Sequence, residues 1–261
     1  MNILKLLFIS IIAICFIGDV IPSEEKASVE ALLKSFIEDY KKNDTFPELP
    51  FEFGVKIQGP GGGEWRIRIN ENKKFSLKKG LPEKPAFYVI ADSETLTKVH
   101  RGNMNALTAA GKARTSDITP MDVKFQEGYE PPEKYIRSVL LPFYFHFFTR
   151  GVPEIIPFGE KYSRVIHGGN AVALYYDLGL RTSWYQVKKG MFINKDLKDA
   201  VNPFHSLFIC IKGKGKGRIG DKILDLKEGM AIFIPAGMIH QFWTDGEDIL
   251  DMILIMFGEG A

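Results

Sequence analysis

Three observations predict an α+β unit followed by an all-β unit. Apolar residues recur at helical spacing from Val29 to Ile37, then switch to a period of two from Phe51 to Ile69. Pro131-Pro132 breaks the chain. From Ser163 onward, short β-prone runs recur between turn signals, which argues for a sandwich or barrel. With 261 residues, 45% hydrophobic and 25% charged, the chain is long enough for two modest domains with separate cores and too apolar to be disordered. A net charge of +2 leaves no polyelectrolyte argument for nucleic acid. Cys15 and Cys210 build neither a disulfide framework nor a cysteine metal site.

Residues 1–22 begin with Lys5 followed by the apolar block Leu6–Ile17, interrupted by Ser10, which reads as a signal-peptide h-region. About a dozen residues is short for a bilayer, where about 20 are wanted, although Ile3 to Pro22 could span. The expectation is export or membrane anchoring, to a periplasmic or extracellular location; the alternative is a cytoplasmic protein with a misassigned start. No small-x-small triplet marks a cleavage site, and Ile14 precedes Cys15 where a lipid-attachment box wants a small residue.

Residues 23–130 form the predicted α+β unit. Ser23 with Glu24 and Glu25 offers a cap for a helix over 23–43, with Val29, Leu32, Leu33, Phe36 and Ile37 on its apolar stripe. Phe51, Phe53, Val55 and Ile57 share one strand face, and Trp65, Ile67 and Ile69 the next. Gly59-Pro-Gly-Gly-Gly63 has the glycines of a phosphate loop but no following Gly-Lys-Ser/Thr, and it lies between strands, so it reads as a hairpin turn. Phe75 and Leu77 mark a third strand, Ala86 to Ala91 a fourth, and Asp92 opens a helix through His100.

Gly62-Gly-Glu-Trp-Arg-Ile-Arg-Ile69, Phe87-Tyr-Val-Ile-Ala-Asp92, Leu96 and Gly102-Asn-Met-Asn-Ala-Leu-Thr-Ala-Ala-Gly-Lys112 together resemble the sterol carrier protein type 2 family over about residues 28 to 125. The resemblance implies a helix-backed antiparallel sheet around an apolar tunnel for fatty-acyl chains, sterols or similar lipids, with no catalytic residues. Phe53, Val55, Trp65, Ile67, Phe75, Met104 and Leu107 are the ligand-lining candidates it implies; the competing reading makes each an ordinary core residue.

Residues 131–160 form a hydrophobic helical connector. Tyr135, Val139, Leu140, Leu141, Phe143, Tyr144, Phe145, Phe147 and Phe148 leave the helix or helix pair from Glu133 to Arg150 little polar face, so it must bury most of its surface. Pro142 should kink it. Packing between domains, capping of the tunnel and a membrane interface all remain open, with the first preferred because an exposed aromatic patch invites aggregation.

Residues 161–261 carry the predicted strands Arg164 to His167, Ala171 to Asp177, Ser183 to Lys188, Phe204 to Lys212, Lys216 to Gly220, Ile223 to Leu226, Ala231 to Pro235 and Ile249 to Phe257. Leu207-Phe-Ile-Cys-Ile-Lys-Gly213, Gly220-Asp with Ile223 to Leu226, and above all Gly229-Met-Ala-Ile-Phe-Ile-Pro-Ala-Gly-Met-Ile-His240 resemble the cupin superfamily. The resemblance implies a jelly-roll-like barrel in which His-x-His, a glutamate and a later histidine converge on Fe, Mn, Zn or Ni. His240 matches the later histidine. Aligned on Gly213, Ser206 stands where the glutamate belongs and Asp199 to Asn202 where the paired histidines belong, and no His-x-His occurs in the chain. His205 and His240 remain the candidate metal ligands, with Asp199 completing a facial triad; the competing reading makes both histidines polar structure, as it does His100, His146 and His167.

Lys212-Gly-Lys-Gly-Lys-Gly-Arg218 alternates cations with glycine on a hairpin, either as a solvated, charge-protected edge or as a contact for anionic headgroups on a membrane surface. The functional expectation is binding or carriage of a hydrophobic small molecule without chemistry and without a cofactor, with a homodimer through the barrel left open. The competing class is a metal-dependent cupin enzyme, an oxygenase or isomerase acting on a small apolar substrate.

Overall fold

The computed structural model describes residues 27–43, 46–114 and 116–261. The hydrophobic block of residues 1–22 and the cap expected at Ser23 lie outside the described residues. The first helix, α1 (Val29–Tyr40), is instead capped by Ser28, whose hydroxyl accepts from the Ala31 amide at 3.2 Å. Its stripe of Val29, Leu32, Leu33, Phe36, Ile37 and Tyr40 is buried.

Strands β1 (Phe51–Gln58), β2 (Gly63–Ile69), β3 (Phe75–Lys79), β4 (Tyr88–Asp92) and β5 (Met121–Lys124) form one sheet in the order β3-β2-β1-β4-β5. The turn at Gly59–Gly63 closes the β1–β2 hairpin, with the Gly62 amide donating to the Gly59 carbonyl at 3.0 Å. The expected antiparallel sheet is corrected in one place: β1 and β4 are parallel, from Gly54 opposite Tyr88 to Gln58 opposite Asp92. Residues 80–87 carry the chain from edge strand β3 back across the sheet to the free side of β1, and such a crossover delivers a parallel partner. Helices α2 (Ser93–His100) and α3 (Ala106–Ala110) follow, capped by Asp92 and Asn105.

The connector is helical through Pro142, where a kink was expected. It comprises a short α4 (Glu133–Tyr135), a π-helical turn over Ile136–Leu140, and α5 (Leu141–Phe148), whose first turn holds the proline. The widened turn just before Pro142 lies where a proline removes a donor and crowds the preceding carbonyls. Phe143 and Phe147 press edge-on against Phe53, at 5.3 and 5.0 Å between ring centroids, while Phe53 stacks on Phe87 at 5.2 Å. On its other side, Phe145 meets Tyr175 at 5.9 Å.

Tyr175 belongs to the second sheet: β6 (Arg164–Ile166), β7 (Gly169–Asp177), β8 (Leu180–Val187), β9 (Phe192–Ile193), β10 (His205–Ile219), β11 (Lys222–Lys227), β12 (Ala231–Ile234), β13 (His240–Trp243) and β14 (Leu250–Phe257). The order is β6-β7-β8-β14-β10-β13-β9, with β11 and β12 also paired to β10, and every pairing is antiparallel. Phe204 to Lys212 and Lys216 to Gly220, expected as two strands, form the single β10. Its ladder to β14 shifts register between Cys210 and Lys212, and Gly213 takes a φ of 78° there, so the strand bends around the barrel instead of ending. The lysine–glycine run therefore lies within a strand. Lys214 pairs with Asp248 at 3.4 Å, and Lys216 with Asp225 at 3.0 Å and Asp245 at 3.6 Å.

Candidate functional site

A cavity of about 530 Å³ opens between the two sheets and runs into the barrel. The first sheet and its helices contribute Phe87, Leu107, Ala110, Val123 and Phe125; the connector contributes Ile136, Leu140, Leu141 and Tyr144. The barrel contributes Tyr185, Phe208, Leu254 and Met256, together with His167, Asn202 and His240.

Strand pairing explains how these barrel side chains meet. Directly opposed residues on neighbouring strands share a face. Ile234, Ser206, Met256, Arg181 and Tyr176 form one such row across β12, β10, β14, β8 and β7. The next row inward holds Phe208, Leu254 and Ser183, and the one after it Cys210, Met252 and Tyr185.

At one wall the polar groups form a chain. Asn202 Nδ2 donates to Ser206 Oγ at 3.1 Å and lies 3.5 Å from Nε2 of His240. Nδ1 of His240 is 3.2 Å from the Met238 carbonyl, which can only accept, so the proton is assigned to Nδ1 and Nε2 is left as the acceptor. Burial holds the His240 imidazole below the usual histidine range, against the Met238 hydrogen bond and in concert with His167. Burial likewise lowers His167, against Asp199 and Asp117, and His167 Nδ1 has no hydrogen-bond partner among the described residues. Both rings face the cavity, and these shifts favour their neutral forms.

The metal ligands read from sequence do not converge. His205 lies on the outer face of β10, its ring 5.4 Å from Phe233 and 5.9 Å from Phe257, its Nδ1 accepting from the Ala236 amide at 3.2 Å. The cause is the two-residue period of the strand: Ser206, Phe208 and Cys210 point inward, so His205 cannot. Asp199 does line the cavity, with its carboxylate 4.0 Å from Arg114 Nε. Ser206 and Asn202, at the positions expected for a glutamate and a histidine, supply a hydroxyl and an amide beside one imidazole. That donor set does not fit a transition metal, and among the described residues no group of three or more His, Cys, Asp or Glu could hold one.

The lipid-lining residues are also redistributed. Leu107 lines the cavity, whereas Phe53, Val55, Trp65 and Ile67 are buried in the core of the first sheet, with Phe75 and Met104 packed partly buried against it. Phe143 and Phe147 occupy the face of Phe53 where a tunnel was expected.

Arg181, Tyr176 and Tyr185 were not singled out from sequence. In Leu180-Arg-Thr-Ser-Trp-Tyr the apolar Leu180 and Trp184 alternate with Arg181 and Ser183, so a polar-out rule turns the arginine to solvent. In the fold Trp184 is covered from outside, with Phe158 at 6.3 Å, while Arg181, Ser183 and Tyr185 face the cavity.

Residues 198–256 match the family described as Cupin domain, and the C-terminal region is a cupin-like barrel. The cupin 2 conserved barrel domain protein of Rhodopseudomonas palustris is 22% identical with a TM-score of 0.31, over 34% of this chain and 61% of that one. A cupin 2 conserved barrel domain protein from Salinispora arenicola is 16% identical with a TM-score of 0.36, over 40% of this chain and 88% of that one. A cupin-2 domain from Rhodospirillum rubrum is 16% identical with a TM-score of 0.32, over 37% and 64%. The chain thus spans less than two thirds of the first of these. No curated protein matches it.

Proposed function

We propose that the protein binds a hydrophobic small molecule in the cavity between the barrel and the first sheet, and holds it without converting it. The observation that carries this reading is the cavity itself. Its volume of about 530 Å³ lies within the range of roughly 300–1,000 Å³ typical of small-molecule sites, and its walls are mostly apolar with a few convergent polar groups. Nor does the chain of Asn202, Ser206 and His240 place a base on a nucleophile: it is the Asn202 amide that lies beside both the Ser206 hydroxyl and His240 Nε2. The first sheet and its helices support the same reading from the other side of the cavity, where Leu107, Ala110 and Val123 add to the apolar wall.

Native mass spectrometry of the full chain tests it. The expected result is a co-purifying apolar molecule, or uptake of an added one after extraction with organic solvent. A chain that takes up no long-chain acid, alcohol or sterol would overturn the reading.

The N-terminal block from Lys5 to Ile17 is proposed to direct export. Among the described residues no helix is long and apolar enough to cross a membrane, so anchoring would depend on that block. A fused reporter that is active only after translocation should report activity, and deletion of residues 1–22 should abolish it. A second copy of the chain, if one docks through the barrel, would meet the outer face bearing exposed Ile211, Phe233 and Phe257. An anionic membrane contact through Lys214 and Lys216 would have to displace the aspartates that pair with them.

A further inference from the structure

The polar groups around the cavity divide into charged ones that are met within the fold and neutral ones that are not. Lys112 holds Asp122 at 2.7 Å, and Asp199 faces Arg114 at 4.0 Å. Arg181 keeps part of its surface, donates to the Gly260 carbonyl at 3.1 Å and has Glu133 among the charges that act on it. What remains open is uncharged. Tyr185 and Ser183 line the cavity and are only partly buried. Neither hydroxyl hydrogen-bonds to another of the described residues, and neither is sealed from solvent as the Tyr176 hydroxyl is.

Tyr185 stands in the innermost of the three rows that face the cavity. On β8 it lies opposite Met252 of β14 and Ala171 of β7, with Cys210 of β10 beyond Met252, and all three are buried. Its chain neighbours Trp184 and Gln186 point to the other face. Protein closes the ring in from the strand side, so the surface that Tyr185 keeps is cavity surface. Burial pushes its hydroxyl up to about 12 against the pull of Arg181, so at neutral pH it stays protonated and able to donate.

From Tyr185 the rows lead through Ser183, Leu254 and Phe208 to Arg181 and Met256, a span of four residues along β8, or about 13 Å. Each of these side chains lines the cavity. A ligand oxygen at the Tyr185 end would give the unfilled donor an acceptor. A carboxylate there would instead carry a charge into a wall whose own cations are already matched, which is costly.

We infer that the cavity takes an uncharged molecule with an oxygen that accepts a hydrogen bond, an alcohol or a ketone, its oxygen on the Tyr185 hydroxyl and its apolar body along Leu254, Met256, Leu140 and Leu107. The inference rests on the ligand-binding reading above and assigns the head group that reading leaves open. Ser183, two residues along the same strand face, offers a second hydroxyl about 7 Å away along the strand.

The test is a matched series on the full chain: dodecanol, dodecanoate and dodecane, each measured by native mass spectrometry and by competition with a fluorescent apolar probe. Wild type should prefer dodecanol to dodecanoate by on the order of tenfold or more, because the acid must bring its charge into the cavity or give it up. Tyr185→Phe should weaken dodecanol by on the order of fivefold, the scale of one neutral hydrogen bond, and leave dodecane binding unchanged. The hydroxyl holds no bond among the described residues, so the midpoint of thermal unfolding of the variant should not fall. Equal or tighter binding of dodecanoate by wild type overturns the inference and leaves the cavity reading standing, and that comparison needs no variant to fold. Dodecanol affinity that is unchanged in Tyr185→Phe, or that falls only as far as that of dodecane, overturns the assignment of the head group to Tyr185. Binding of none of the three defeats the cavity reading itself.

Discussion

Asn202 joins Ser206 to His240, with its amide nitrogen 3.1 Å from the hydroxyl and 3.5 Å from the imidazole Nε2. In a metal-binding cupin, those neighbouring positions would carry anionic or imidazole donors. Here, a neutral amide and a hydroxyl take the place of a ligand set, and the one remaining histidine is held neutral by burial.

Purified protein should accordingly contain much less than one equivalent of Fe, Mn, Zn or Ni by elemental analysis, and His240→Ala should leave that content unchanged. One tightly held equivalent that disappears in His240→Ala would reinstate the metalloenzyme reading.

Three partly or fully buried histidines predict acid lability in a defined window. His100, His167 and His240 are all lowered, with burial the first cause in each case. A lowered histidine binds its proton more weakly when folded than when unfolded, where the value is about 6.5. The unfolded chain therefore takes up more protons below that pH, and the stabilisation present at pH 7 is lost as pH falls from about 6.5 toward the folded values. Asp122 is buried, which alone would raise it, but Lys112 and Lys124 pull it below the usual carboxylate range. Its own loss of stability comes only at much lower pH. The midpoint of thermal unfolding should fall between pH 7 and pH 5, and replacing His167 and His240 with glutamine should flatten that fall. A midpoint constant across the interval would mean that the two rings are solvated.

Gly213 separates backbone conformation from space. Its φ is +78°, and a Cβ there would land 1.9 Å from the Ile249 carbonyl oxygen. At Gly229 the φ is +83°, with nothing within 4 Å. Gly229→Ala should cost about 1 kcal/mol, the conformational penalty alone. Gly213→Ala should cost about 3 kcal/mol or more, because β10 must lose its bend. Equal costs by chemical denaturation would show that β10 does not need the bulge.

Periodicity made much of the fold legible. The stripe of α1 and the alternating faces of β1 and β2 lie where spacing put them, because each buries one face against a single neighbouring layer. Pro131-Pro132 marked the entry to the connector, and the turn ending in His240 marked the barrel. What spacing could not show were relationships across the chain. Nothing local to Phe143 says that it meets Phe53 and fills the space expected of a tunnel. The direction of β4 depends on a crossover, not on its own residues. Arg181 reads as a surface residue because alternation assigns faces only relative to a core, and here the outer face is apolar as well. His205 was misread for the related reason that adjacent strand residues diverge: choosing Ser206 as the inward residue forces His205 out.

The placement of Met104 and Leu107 yields the last prediction. Both were expected in one tunnel, yet Leu107 lines the cavity while Met104 packs against the core of the first sheet. A charge at Leu107 would face the ligand across an apolar wall, so Leu107→Glu should weaken uptake of an apolar ligand by on the order of tenfold or more. Met104→Glu should lower stability while leaving ligand affinity per folded molecule unchanged. Ala110→Phe serves as the control for space, since Ala110 also lines the cavity: it adds volume without charge and should exclude the ligand from a folded chain. If Met104→Glu abolished binding while Leu107→Glu and Ala110→Phe left it intact, the binding site would lie in the interior of the first sheet, and the cavity beside the barrel would not be the site.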